Sequence, residues 1–119
     1  MYKVWLDDQD IIQIVNEGAK TPEEQQITIA EIRKLSGKLR SEQKRVLILD
    51  DISKMEIPSE ALRKVGAQVE KMADFDKFAL FSSDQQMRII VKFMIMAGGE
   101  KKLKIFTDRN EAMAWLAIA

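Results

Sequence analysis

Arg45-Val46-Leu47-Ile48-Leu49-Asp50-Asp51 decides the fold: four consecutive β-favouring apolar residues stand between a basic residue and a pair of acids. An apolar run of this length without polar alternation fits a strand covered on both faces, as in the middle of a parallel sheet. Upstream of it, Ile29, Ile32, Leu35 and Leu39 recur at three- and four-residue steps, with Glu31, Arg33, Lys34 and Lys38 between them. That spacing predicts an amphipathic helix laying one stripe on the core. Thr21-Pro22-Glu23-Glu24 opens it with a capping threonine, a proline at the first helical position and a glutamate three residues after the cap. Further upstream, Tyr2 to Leu6 and Ile11 to Val15 are short β-prone runs joined by the polar link Asp7-Asp8-Gln9-Asp10, which predicts a hairpin.

Downstream of Leu49, Leu62, Val65, Val69 and Met72 repeat at helical steps after Pro58-Ser59. Phe78-Ala79-Leu80-Phe81 reads as a second buried strand. Ser83 with Gln86 predicts a capped helix over 87–97, stopped by Gly98-Gly99. Leu103-Lys104-Ile105-Phe106 is the last strand, and Asp108 with Glu111 caps a closing helix through Ala112, Trp115 and Leu116. The predicted order is ββαβαβαβα: an α/β fold whose five-stranded sheet is mixed but mostly parallel, with an antiparallel N-terminal edge strand and packed helices. With no linker or repeat in 119 residues, one domain over 1–119 is expected.

Charge and composition narrow the functional classes. Nineteen basic residues balance nineteen acidic ones, so there is no field to gather a polyanion, and nucleic acid is not an expected partner. With no cysteine and no histidine, thiolate nucleophiles, Ser-His-Asp triads and His- or Cys-based metal sites are excluded. No cofactor or metal is expected. The N-terminus, Met1-Tyr2-Lys3-Val4-Trp5, lacks the basic and apolar regions of a secretory signal, and no run is long enough for an integral membrane segment, so a cytoplasmic protein is expected.

Two places deserve chemistry. In open α/β sheets ligands gather at the carboxyl ends of strands, which singles out Asp50, Asp51 and Ser82 as strand-end candidates for magnesium or phosphoryl chemistry. An acidic pair there resembles a receiver domain, but it follows the third strand rather than the first, and no lysine follows Phe106. Turn and capping roles account for these residues without catalysis, and no enzyme activity is expected. The same holds for Asp7, Asp8 and Asp10, which lack the glycine and distal glutamate of a calcium loop. The second place is the 87–97 helix, apolar nearly all round with only Arg88 and Lys92 charged. A peripheral helix buries one stripe, so Ile89, Phe93, Met94 and Met96 are the expected interaction or ligand surface, unless the closing helix and Trp115 cover them.

The stretch Ile105-Phe106-Thr107-Asp108-Arg109-Asn110-Glu111-Ala112-Met113-Ala114-Trp115-Leu116, with Phe75-Asp76-Lys77-Phe78-Ala79-Leu80-Phe81-Ser82 before it, resembles the closing strand and helix and the penultimate strand of the SpoIIAA-like (STAS/SEC14-like) branch of the STAS superfamily. The resemblance implies a SpoIIAA-like fold and a non-enzymatic regulatory or interaction module. Its expected partner is another protein or a second copy of the chain, as a homodimer. Its SEC14-like side implies, as an alternative, a carrier of an apolar small molecule or lipid in a pocket lined by Phe78, Phe93 and Trp115. Anti-sigma-factor antagonists of the superfamily are phosphorylated on a serine that matches Ser59, although Pro58, Glu60 and Ala61 replace their aspartate, serine and glycine. Ser59 is thus both a phosphorylation candidate and a plain helix cap.

Overall fold

In the computed structural model, which describes residues 1–66, 74–98 and 102–118, five strands form one sheet in the order β1-β2-β3-β4-β5. They are β1 (Tyr2–Leu6), β2 (Ile11–Gly18), β3 (Leu47–Met55), β4 (Lys77–Phe81) and β5 (Leu103–Phe106). The helices are α1 (Pro22–Ser41), α2 (Glu60–Gly66), α3 (Gln85–Gly98) and α4 (Arg109–Ala117). β1 pairs antiparallel with β2, and every later pairing is parallel. The expected topology holds. Val69, Met72 and Gly99 lie outside the described residues.

The hairpin turn is closed by one side chain. Asp7 Oδ1 accepts from the amides of Gln9 and Ile11 at 2.8 and 2.9 Å, and Asp7 Oδ2 accepts from Gln13 Nε2 at 2.9 Å. Asp10 takes φ 61°, a left-handed conformation that aspartate tolerates better than most residues. α1 opens with the predicted capping box: Thr21 Oγ1 accepts from Glu24 N, and Glu24 Oε1 accepts from Thr21 N.

Because strand neighbours follow chain order, each β-α-β step crosses the sheet in the same direction. Crossovers of one hand running one way must lay their helices on one face. That face carries Ile12, Ile14, Ile48, Phe78 and Leu103, packed against Ile29, Ile32 and Leu39 of α1. Ile52, with Leu80 and Ile105 beside it, meets Met87 and Val91 of α3 on the same face. α4 is not a crossover and covers the other face, where Ala112 and Leu116 meet Ile11, Leu49, Ala79 and Phe81. Lys77 fastens its C-terminal end by donating from Nζ to the carbonyls of Trp115 and Ile118, both at 2.7 Å. Ile48 and Leu49, adjacent and both fully buried, point to opposite faces, as their position in a covered central strand requires.

Two expectations need correcting. β3 does not end at Leu49 but runs six residues further, because its backbone keeps pairing with β2, Val15 opposite Asp51 and Gly18 opposite Met55. Ladder bonds are made by the backbone and do not require apolar side chains. β2 is extended correspondingly past Val15 to Gly18, whose φ of +72° suits glycine and ends the strand. The cap of α3 is Asp84 rather than Ser83: its Oδ1 accepts from the amides of Gln86 and Met87 at 2.9 and 3.3 Å.

Candidate functional site

Alternation along β3 separates the two acids that the sequence places side by side. Asp50 falls in the row of Ile48 and Ile52, on the face covered by α1 and α3, whereas Asp51 falls in the row of Leu49, on the α4 face. They therefore do not form a joint acidic cluster, and neither stands at a strand end; both lie inside β3. Asp51 is half-buried, accepts from the amide and hydroxyl of Ser53, and has Arg109 Nη2 at 3.8 Å. Ser82 does follow β4 directly, but it is fully buried, and its Oγ accepts from Asp84 N at 3.1 Å in the turn that opens α3. Capping accounts for it.

Asp50 is in a different situation, since only 8% of it is exposed amid an apolar row. Asn16 of β2, also buried, donates from Nδ2 to Asp50 Oδ1 at 2.8 Å, and Lys20 Nζ donates to Asn16 Oδ1 at 2.7 Å. The asparagine thus passes a cation's polarity to a buried carboxylate. Among the described residues no hydrogen-bond donor reaches Asp50 Oδ2. Burial pushes the Asp50 carboxyl up to about 7, against the pull of Lys20 and of the Asn16 hydrogen bond, with the like charge of Asp51 pushing the same way as burial. Burial likewise pulls the Lys20 amine below its ordinary value, against Asp50 and Glu24. The Lys20 amine also sits 4.9 Å from the centre of the Tyr2 ring.

Asn16, Lys20 and Asp50, with Gln25 of α1, line a cavity of about 90 Å³ whose remaining lining, including Ile52, Met55, Leu62, Phe78 and Met94, is apolar. It lies between the sheet, α1, α2 and α3. It is smaller than the roughly 150 Å³ of an apolar cavity that takes a single six-carbon ring, and small for a lipid chain. The trio expected to line an apolar pocket is not brought together. Phe78 lines this cavity, Phe93 points away from the core, and Trp115 packs on Phe106 across the sheet, 5.6 Å between ring centres. Trp115 is on that side because α4, free of any crossover constraint, takes the uncovered face.

α3 is oriented so that Met87 and Val91 are buried while Ile89, Phe93 and Met96 are 48%, 67% and 68% exposed. Met94 is half-buried, lining the cavity on one side and the open groove beside α2 on the other. The expected exposure is therefore found at three of the four positions, and α4 covers none of them. Between α2 and α3, Phe93, Met94, Ile90 and Ala97 form one side of an open groove whose other side carries Glu60, Arg63 and Lys64. Ser59 is exposed, and its Oγ accepts from Leu62 N at 3.2 Å as a helix cap does. Among the described residues no helix is long and apolar enough to cross a membrane.

A SpoIIAA-like family model matches residues 11–117. The chain belongs to the SpoIIAA-like family. A crystal structure of an uncharacterized protein with a SpoIIAA-like fold from Shewanella loihica PV-4 superposes with a TM-score of 0.61 at 14% identity, covering 98% of this chain and 93% of that one. No curated protein matches. The SpoIIAA-like match begins at Ile11, the first residue of β2, so it takes in both the Asp50 cavity and the outer face of α3. Asn16 and Lys20 went unnoticed in the sequence. The available signal was the alternation Ile12, Ile14, Asn16 in β2 beside Ile48, Asp50, Ile52 in β3, which sets two polar residues in adjacent apolar rows.

Proposed function

We propose that this chain is a single-domain, non-enzymatic cytoplasmic module that binds a partner protein through the outer face of α3. The observation that carries this is the exposed stripe Ile89, Phe93 and Met96, spaced at four and three residues along a helix whose opposite side already fills the core. An apolar stripe left in water on an otherwise normally charged surface marks an association site. The charges of α3 favour a different protein over a second copy. Arg88 and Lys92 are its charged residues, so two copies packed α3 on α3 would bring like charges together, whereas a partner helix with an apolar stripe flanked by carboxylates would complement them.

A photo-crosslinking residue at position 93, compared with one at the exposed position 31 of α1, tests this in cells. A discrete adduct specific to position 93, lost when Met96→Glu is added, is the expected result. Adducts indistinguishable between the two positions would refute it, and an adduct of the chain with itself, matched by a dimer in light scattering, would replace the partner with a second copy.

A second role, carriage of an apolar small molecule, is supported by the cavity that Asp50 lines. Phosphorylation of Ser59 would place charge at the N-terminus of α2, where the helix dipole accommodates it.

A further inference from the structure

A carboxylate in an apolar wall is normally satisfied on both oxygens, because leaving a charged acceptor unpaired away from water is expensive. Asp50 meets that requirement on one oxygen only. Oδ1 is held by Asn16, and behind Asn16 by Lys20, while Oδ2 accepts no hydrogen bond from the described residues, and Asp50 lines a cavity whose other polar side chains are Asn16, Lys20 and Gln25. The three side chains form a line from β3 through β2 to the link that precedes α1, so Asp50 is held in position before anything arrives.

We infer that the cavity between the sheet, α1, α2 and α3 binds a small uncharged alcohol, whose hydroxyl donates to Asp50 Oδ2 while its hydrocarbon part lies against Ile52, Leu62 and Met94. The inference rests on the carrier role proposed above and adds the chemistry of the ligand's polar end. Its size follows from the cavity. A six-carbon ring fills an apolar cavity of roughly 150 Å³, so about 90 Å³, partly open, suits a hydrocarbon of about four to six carbons. Its charge follows from the surroundings. Lys20 already balances Asp50, so a cationic head would bring an unpaired positive charge and an anionic head would face the carboxylate directly. A hydroxyl brings a donor without a charge. A purely apolar molecule would strip water from Oδ2 and give nothing back.

Cyclopentanol, cyclopentanone and cyclopentane share one ring and differ in the donor, and binding is followed by amide shifts of the isotope-labelled full chain at pH 8, where the Asp50 carboxyl is ionised. Saturable shifts at Ile52, Leu62 and Met94 with cyclopentanol binding about tenfold or more tighter than the ketone are expected, the strength of a hydrogen bond to a charged acceptor. In Asp50→Leu, which keeps the side-chain outline without the acceptor, that preference should vanish. A ketone bound as tightly as the alcohol by the unaltered protein overturns the inference and leaves the carrier role standing. A preference that persists in Asp50→Leu also overturns it, and no saturable shift with any of the three overturns the carrier role as well. The alcohol-to-ketone comparison needs no variant, so a failure of Asp50→Leu to fold does not remove the test.

Discussion

Replacing Asp50 by asparagine should stabilise this protein, and by more as the pH rises. The amide is close in shape to the protonated carboxyl, and its oxygen can still accept from Asn16 Nδ2. What it removes is the cost of ionising a buried group. In the unfolded chain this carboxyl titrates near its ordinary value of 3.8, whereas in the fold it holds its proton until about 7. The sign follows directly. Below about pH 4 both states are neutral at this position and the full contribution is present. Above that the unfolded chain ionises first, so stability is lost with rising pH until the folded carboxyl also ionises near 7. At about 1.4 kcal/mol per pH unit across that interval, the loss is on the order of 4 kcal/mol. For a domain whose whole stability is about 5–15 kcal/mol this is a large fraction. Asp74 and Asp76 are held below the ordinary range, so their contributions are present at neutral pH and fade as the pH falls, but they are common to both proteins and cancel in the difference. Urea unfolding of the wild type and Asp50→Asn at half-unit steps from pH 4.5 to 8.5 reads the gap. It should widen from about 1 kcal/mol at pH 4.5 to about 4 kcal/mol and level off above about 7. A gap constant within about 0.5 kcal/mol over the range would show that Asp50 is not an ionisable group held in a dry wall, and would refute the account of the site built on it.

Thr21→Ala removes one half of the capping box at the start of α1 and should cost about 1 kcal/mol, seen as a Tm lower by about 4 °C; an unchanged melt would contradict it. Asp76→Ala removes the acceptor of Val46 N and of Arg40 Nη1, which lie at 2.8 and 2.9 Å from the same oxygen. Because the carboxylate is partly exposed, water replaces some of what Arg40 loses, and the expected cost is about 2 kcal/mol, with faster hydrogen exchange at Val46. Exchange at Val46 no faster than in the wild type would place its protection elsewhere.

What was legible in the sequence was local. The capping box of α1, the Asp108 cap of α4, the hairpin link and the apolar rows of α1 each depend on residues within one or two turns of each other, and each is found where expected. The cap of α3 falls one residue later than expected, at Asp84. The extension of β3 was not legible, because residues 52 to 55 are strand only by virtue of their pairing with β2, more than thirty positions away. The same non-local pairing hid the site. Asp50 and Asp51 read as a pair along the chain, but the pleat sends them to opposite faces. Asn16 becomes a partner of Asp50 only once β2 and β3 are in register. Nor does sequence spacing say which face α4 takes, which is why Trp115 was grouped with Phe78 and Phe93, from which the sheet separates it.

α3 shows where periodicity reaches its limit. It carries two apolar stripes, and spacing alone does not tell which one faces the sheet. The choice is made at its first turn: Asp84 fixes the start of the helix, and Arg88 Nη1 donates to the carbonyl of Ser82 at 2.9 Å, which turns Met87 and Val91 inward onto Ile52. A carboxylate introduced on each stripe separates the two orientations. Val91→Asp puts a charge against Ile52 and Met87 and should cost more than about 4 kcal/mol, most of the stability of a domain at the low end of the ordinary range. Phe93→Asp, on a side chain 67% exposed, should shift stability by no more than about 0.5 kcal/mol while abolishing the partner adduct formed from a photo-crosslinking residue at the neighbouring exposed position 89. Equal destabilisation by the two would mean that the Phe93 stripe is covered within the monomer. The apolar face would then belong to the core, and α3 would have nothing left to offer a partner.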